Sequence, residues 1–85
     1  MSIRILYFAR VREQVGIAQE MLDLDARTRD VAGLREQLIG RGAPWNAAFA
    51  SDKSVRVAVN QDIARGDTAV KAGDEVAFFP PVTGG

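Results

Sequence analysis

One stretch of this 85-residue chain has the apolar repeat of a helix long enough to cover a sheet, and most of the other patterned stretches read as strands. That imbalance constrains the fold more than any other feature. Asp30 is suited to cap a helix N-terminus. After it, Val31, Leu34 and Leu38 recur on one helical face, with Arg35, Glu36 and Gln37 toward solvent. Gly33 lies inside this helix at a cost of about 1 kcal/mol relative to Ala. Gly40 and Gly42 supply the stop. Pro44 suits the first turn of a short second helix, in which Trp45 and Phe49 sit four apart. Residues 2–9 alternate as a strand, with Ile3, Ile5 and Tyr7 on one face and Arg4, Leu6 and Phe8 on the other. Residues 10–18 hold Gly16 and several charges and read as a turn or loop. Residues 20–24, with Met21 and Leu22, form a second strand that pairs with the first as a hairpin. Val55, Val57 and Val59 alternate with Arg56 and Ala58 as a third strand. Asn60-Gln61-Asp62 reads as a turn, and residues 63–70 are irregular with room for one short edge strand. Ala72-Gly73-Asp74 is another turn, and residues 75–79 are the last strand.

Strands followed by a helix and then more strands imply an α+β arrangement. The order and size are those of the β-grasp (ubiquitin-like) fold, a mixed sheet packed on one main helix plus a short helix. Residues 1–79 form this single domain, and residues 80–85 form an extended C-terminal tail.

A single helical layer covers only one face of such a sheet. If Ile3, Ile5, Tyr7, Val57, Val59, Val76 and Phe78 face the helix, alternation sends Leu6, Phe8, Ala58, Ala77 and Phe79 to the other side, beside Arg4 and Arg56. Ile63 can extend that set. A contiguous apolar patch of this kind marks a partner surface unless loops or the short helix fold over it.

The tail follows the last strand directly. Pro80 and Pro81 remove two N–H donors and fix φ, so the sheet stops and the exit stays extended. Val82 and Thr83 lead to Gly84 and Gly85. Glycine has no Cβ, so a terminal carboxylate on Gly85 can thread a narrow channel and be approached from any side. The composition fits chemistry done on that carboxylate by another protein. The chain has no Cys and no His, which removes the thiolate nucleophile and the commonest general base and metal ligand. Eleven basic residues balance 11 acidic ones, so no nucleic-acid footprint is expected. No apolar run reaches the roughly 20 residues of a membrane span, and the N-terminus lacks a signal-peptide pattern, so a cytoplasmic location is expected. No resident metal or cofactor is expected.

The ending Gly73-Asp74-Glu75-Val76-Ala77-Phe78-Phe79-Pro80-Pro81-Val82-Thr83-Gly84-Gly85 closely resembles the C-terminus of the sulfur-carrier subunits of molybdopterin synthase, the MoaD/ThiS family. The opening Ile5-Leu6-Tyr7-Phe8-Ala9-Arg10-Val11-Arg12-Glu13 and the pair Val59-Asn60 resemble the family too. The double proline favours the molybdopterin branch over the thiamine-thiazole branch. The resemblance implies that an E1-like adenylating enzyme uses ATP to activate the Gly85 carboxylate. A sulfurtransferase then converts it to a thiocarboxylate. The charged tail enters the large subunit of molybdopterin synthase and gives its sulfur to a cyclic pterin precursor, in an assembly of two small and two large subunits. Gly84 and Gly85 would carry the chemistry. Phe8, Ile63 and Phe79, with Pro80, Pro81, Val82 and Thr83, would contact partners. Arg10 and Arg12 either orient an acidic partner surface or are solvated charges. Sulfur carriage toward thiazole or a thiolated tRNA base, ubiquitin-like conjugation through Gly85, and an inert interaction module remain open alternatives.

Overall fold

The structure is a computed structural model that describes residues 2–49 and 55–81. Its strands are β1 (Ser2–Tyr7), β2 (Gln19–Asp23), β3 (Arg56–Val59), β4 (Asp62–Ile63) and β5 (Glu75–Phe79). Its helices are α1 (Ala9–Val15), α2 (Val31–Ile39) and α3 (Trp45–Phe49). The strands form one sheet in the order β2-β1-β5-β3-β4. β1 is antiparallel to β2 and parallel to β5, and β3 is antiparallel to both β5 and β4. This is the mixed sheet of an α+β, β-grasp architecture.

The helices cover one face. Ile3, Ile5, Tyr7, Val57, Val59, Val76 and Phe78 are all buried against Val31, Leu34 and Leu38 of α2 and Phe49 of α3. Phe49 meets Phe78 edge to face, with ring centroids 4.9 Å apart, the geometry in which a positive ring edge meets a negative ring face. α2 begins as its sequence implies: the Asp30 carboxylate accepts the Gly33 N–H at 2.9 Å. The β3–β4 hairpin is closed by Asn60 and Gln61, both at positive φ (51° and 74°), between the paired residues Val59 and Asp62. Two central residues of that hand match the twist of the strands they join. The predicted turn is therefore one residue shorter than expected, and Asp62 enters β4.

The expected loop at residues 10–18 is instead largely the helix α1. Val11 and Val15 are four apart and both buried, which gives one helical turn a face to bury. Gly16 reads as a breaker in sequence, but it is the helix's left-handed C-cap (φ 88°) and donates its N–H to Arg12 O at 2.8 Å. The helical layer thus contains two short helices beside α2.

Polar side chains tie the layers together. Tyr7 Oη donates to Glu20 Oε2 at 2.7 Å and accepts from Trp45 Nε1 at 3.1 Å. Arg41 donates to both Glu20 oxygens at 2.9 Å, and its guanidinium lies 4.5 Å from the Trp45 ring centroid. The ring of contacts closes on itself and joins β1, β2, α3 and the segment between α2 and α3. Burial and the hydrogen bond to Glu20 push the Tyr7 phenol well above its ordinary range. Burial raises the Glu20 carboxyl, but the Arg41 and Tyr7 donors more than offset it and leave the group below its usual value. At the far end of the sheet, buried Asp74 accepts from Asn60 Nδ2 at 3.0 Å and from the Lys71 N–H at 2.8 Å. Asn60 Oδ1 in turn accepts the Glu75 N–H at 3.0 Å, so the hairpin turn is stitched to the start of β5.

Candidate functional site

The uncovered face of the sheet is where alternation puts it. The pairing registers line up Gln19, Leu6, Ala77, Ala58 and Ile63 in one row across all five strands. A neighbouring row holds Phe79 beside Arg56. Phe8 follows Tyr7, whose partner is Phe78, and its N–H donates to Phe78 O at 3.0 Å, so it continues the parallel ladder next to Phe79. On the other side of the central row, Arg4 lies between Met21 and Glu75.

None of the described helices closes over this face. Ile63 is 71% exposed and Phe8 48%, while Leu6, Ala77 and Phe79 are half-buried by one another and by their strand neighbours. Ala58 is buried in the middle of the row, but it is not part of the core cluster on the helical side. A methyl group flanked by Ala77 and Ile63 is too short to reach water. Among the described residues, the option that loops or the short helix cover the patch is therefore not realised.

Phe8, Ile63 and Phe79, singled out from sequence, share this one surface. β5 leaves it through Phe79 directly into Pro80 and Pro81, both half-buried, so the root of the tail adjoins the apolar face. Val82, Thr83, Gly84 and Gly85 lie outside the described residues. Arg10 and Arg12 are exposed on α1, which starts one residue beyond Phe8. Sequence reasoning missed Met21. It is 63% exposed, pairs with Arg4 and carries the apolar surface out to the edge strand β2. Alternation about buried Leu22 was the available signal. Exposed Ile17 lies just before the same strand.

Among the described residues, no group of three or more acidic, His or Cys side chains could hold a metal ion. No described helix is long and apolar enough to cross a membrane. What the face offers is a mostly apolar platform with Arg4, Arg56, Glu75 and, at the edge, Asp23 among its charged groups. Exposed apolar area of this sort is stabilised by a partner that removes it from water.

Known proteins match the whole chain. The sequence profile of the ThiS family matches residues 5–85. The molybdopterin synthase sulfur carrier subunit of Haemophilus influenzae is 42% identical over 83 residues, covering 98% of this chain and 99% of the relative. In three dimensions the chain resembles small archaeal modifier protein 1 of Haloferax volcanii, with a TM-score of 0.73, 26% identity, and 95% and 98% of the two chains covered. It also shares its fold with a chain from the complex of subunits 1 and 2 of the molybdopterin-converting factor of Helicobacter pylori, with a TM-score of 0.66, 20% identity and full coverage of both.

Proposed function

The chain belongs to the ThiS family, and from that premise we propose that it is the sulfur carrier subunit of a molybdopterin synthase, working through the carboxylate of Gly85. The observation that carries the proposal is the join between platform and tail. The strand that puts Phe79 on the uncovered face runs without a break into the Pro-Pro-Val-Thr-Gly-Gly ending. A partner that docks on Phe8, Ile63 and Phe79 thereby receives the tail at its own catalytic pocket.

The chemistry follows from the terminus. A free carboxylate is a poor electrophile because its negative charge repels nucleophiles. An oxygen of the Gly85 carboxylate attacks the α-phosphorus of ATP on an E1-like enzyme, and pyrophosphate leaves. The persulfide of a sulfurtransferase then attacks the carbonyl carbon and AMP leaves. A thiol cleaves the resulting acyl disulfide, forming a disulfide itself, and the terminus is released as a thiocarboxylate. Delivery of two such termini to the large synthase subunit gives a cyclic pterin precursor the two sulfurs of a dithiolene, one from each carrier, and water releases each Gly85 as a carboxylate. The carrier supplies a docking face, a stiff root at Pro80-Pro81 and a bare Gly84-Gly85 end; the partners supply the catalytic side chains. Thr83 and Val82 complete the stretch that enters the partner.

The test is incubation with ATP, an E1-like enzyme and a sulfur source, followed by intact mass spectrometry. One oxygen at the terminus should be replaced by sulfur. Deleting Gly85, or adding a residue after it, should abolish transfer and leave the thermal melt unchanged; full activity of a tagged terminus would overturn the mechanism. The likeness to a small archaeal modifier protein favours one second reading, conjugation of Gly85 to lysines of other proteins. Accumulation of lysine-linked adducts in the same incubation would establish it.

A further inference from the structure

Phe8 is an exposed aromatic ring on an unusually well-held backbone. Its N–H donates to Phe78 O at 3.0 Å, and its carbonyl accepts two N–H groups of α1, from Val11 at 3.1 Å and Arg12 at 3.3 Å. The residue itself is extended, with φ −122° and ψ 151°. The chain goes from this extended residue straight into a helix, with no intervening loop. Ala9 makes the change of direction, and it does so at φ +52°. That is the left-handed region, where the Cβ of an L-residue crowds the backbone and the conformation is strained. Among the described residues, the other left-handed non-glycines, Asn60 and Gln61, close a hairpin whose geometry demands that hand. No hairpin requires it of Ala9. Backbone strain that survives in a fold clusters at functional sites, because the surrounding structure must hold it there.

We infer that the left-handed Ala9 is a positioning residue that locks Phe8 onto the ladder beside Phe79, so that the docking face carries a preformed aromatic anchor. This rests on the docking role proposed above and adds its cause. A ring whose backbone is already fixed loses little freedom when it is buried by a partner, and such rigid aromatic anchors dominate interface energetics. If Ala9 returned to right-handed or extended backbone, the first turn of α1 would swing. Phe8 would then lose either its bond to Phe78 or its two bonds from α1, and the ring would leave the row it shares with Phe79.

The experiment is a double-mutant cycle read by calorimetric titration against the purified large synthase subunit, with Phe8→Ala, Ala9→Val and the combined variant. Phe8→Ala should weaken Kd by roughly 3- to 10-fold, the equivalent of burying the exposed half of one Phe side chain. Val is β-branched and resists the left-handed region more than Ala. Ala9→Val should weaken Kd at least about threefold in the wild-type background and less than about twofold in the Phe8→Ala background. Equal losses in both backgrounds, or no loss in either, overturns the inference. A synthetic chain with D-alanine at position 9 covers the case in which Ala9→Val fails to fold. A D-residue occupies the left-handed region without strain, so this chain should melt higher and bind within about twofold of wild type. A D-alanine chain that folds but binds poorly also overturns the inference. Absence of binding by the wild-type chain, by contrast, would refute the docking role itself.

Discussion

Ile63 offers the sharpest separation of docking from folding. It sits on the two-residue strand β4, opposite Ala58, with 71% of its surface in water. Complete burial of such a side chain is worth about 1.5–3 kcal/mol. The isolated protein has removed less than a third of it from water, so truncation to Ala should lower folding stability by at most about 0.5–1 kcal/mol. The remainder, about 1–2 kcal/mol, becomes available when a partner covers the face, which corresponds to roughly a 5- to 30-fold change in Kd. Both figures are upper values, since alanine keeps the Cβ. Urea denaturation of the free protein measures the first and calorimetric titration with the large synthase subunit the second. If Ile63→Ala destabilised the free protein by more than it weakened the complex, the residue would be structural and the uncovered face would not be the docking surface.

Two further outcomes test the fold. The Asp74 carboxyl is raised by burial, but the Asn60 amide, the Lys71 N–H and the Lys71 ammonium more than offset this and hold it below the ordinary Asp value. Its folded pKa therefore lies below an unfolded value of ~3.9, so its stabilisation is complete above that pH and is lost as pH falls through the folded pKa. Asp74→Asn should flatten this part of the acid limb of a stability-against-pH curve, which urea melts taken between neutral and strongly acidic pH will show. Tyr7→Phe removes the hydroxyl that links Glu20 and Trp45 and leaves the Trp45 N–H short of a partner. A loss of about 1–2 kcal/mol is expected in chemical denaturation, with Trp45 fluorescence as the reporter.

The framework was legible in the sequence because it is written in local patterns. Asp30 caps α2, Val31, Leu34 and Leu38 face inward, and the strands alternate about Ile3, Ile5, Val57, Val59, Val76 and Phe78. The same alternation located the uncovered face, since residues excluded from one side of a strand must lie on the other. α1 was not legible. One pair of valines in a charged segment is too short to establish a period, and a C-capping glycine is indistinguishable from a loop glycine until its hydrogen bond is seen. The Tyr7–Glu20–Arg41–Trp45 ring was hidden for another reason. Its hydrogen-bonded pairs are 13, 21 and 38 positions apart, and no local rule brings them together. The strain at Ala9 was equally hidden, because alanine in sequence reads as an ordinary helix former.

The last strand of the chain is the middle strand of the sheet. β5 is bonded to β1 on one side and to β3 on the other, and without it the protein would fall into two unconnected hairpins, β1–β2 and β3–β4. A tug on the residues after Phe79 would therefore load two hydrogen-bonded ladders in shear at once, which is the direction in which a sheet yields last. The handle proposed for partner enzymes is thus anchored on an interior strand, where pulling on it cannot peel a strand from an edge.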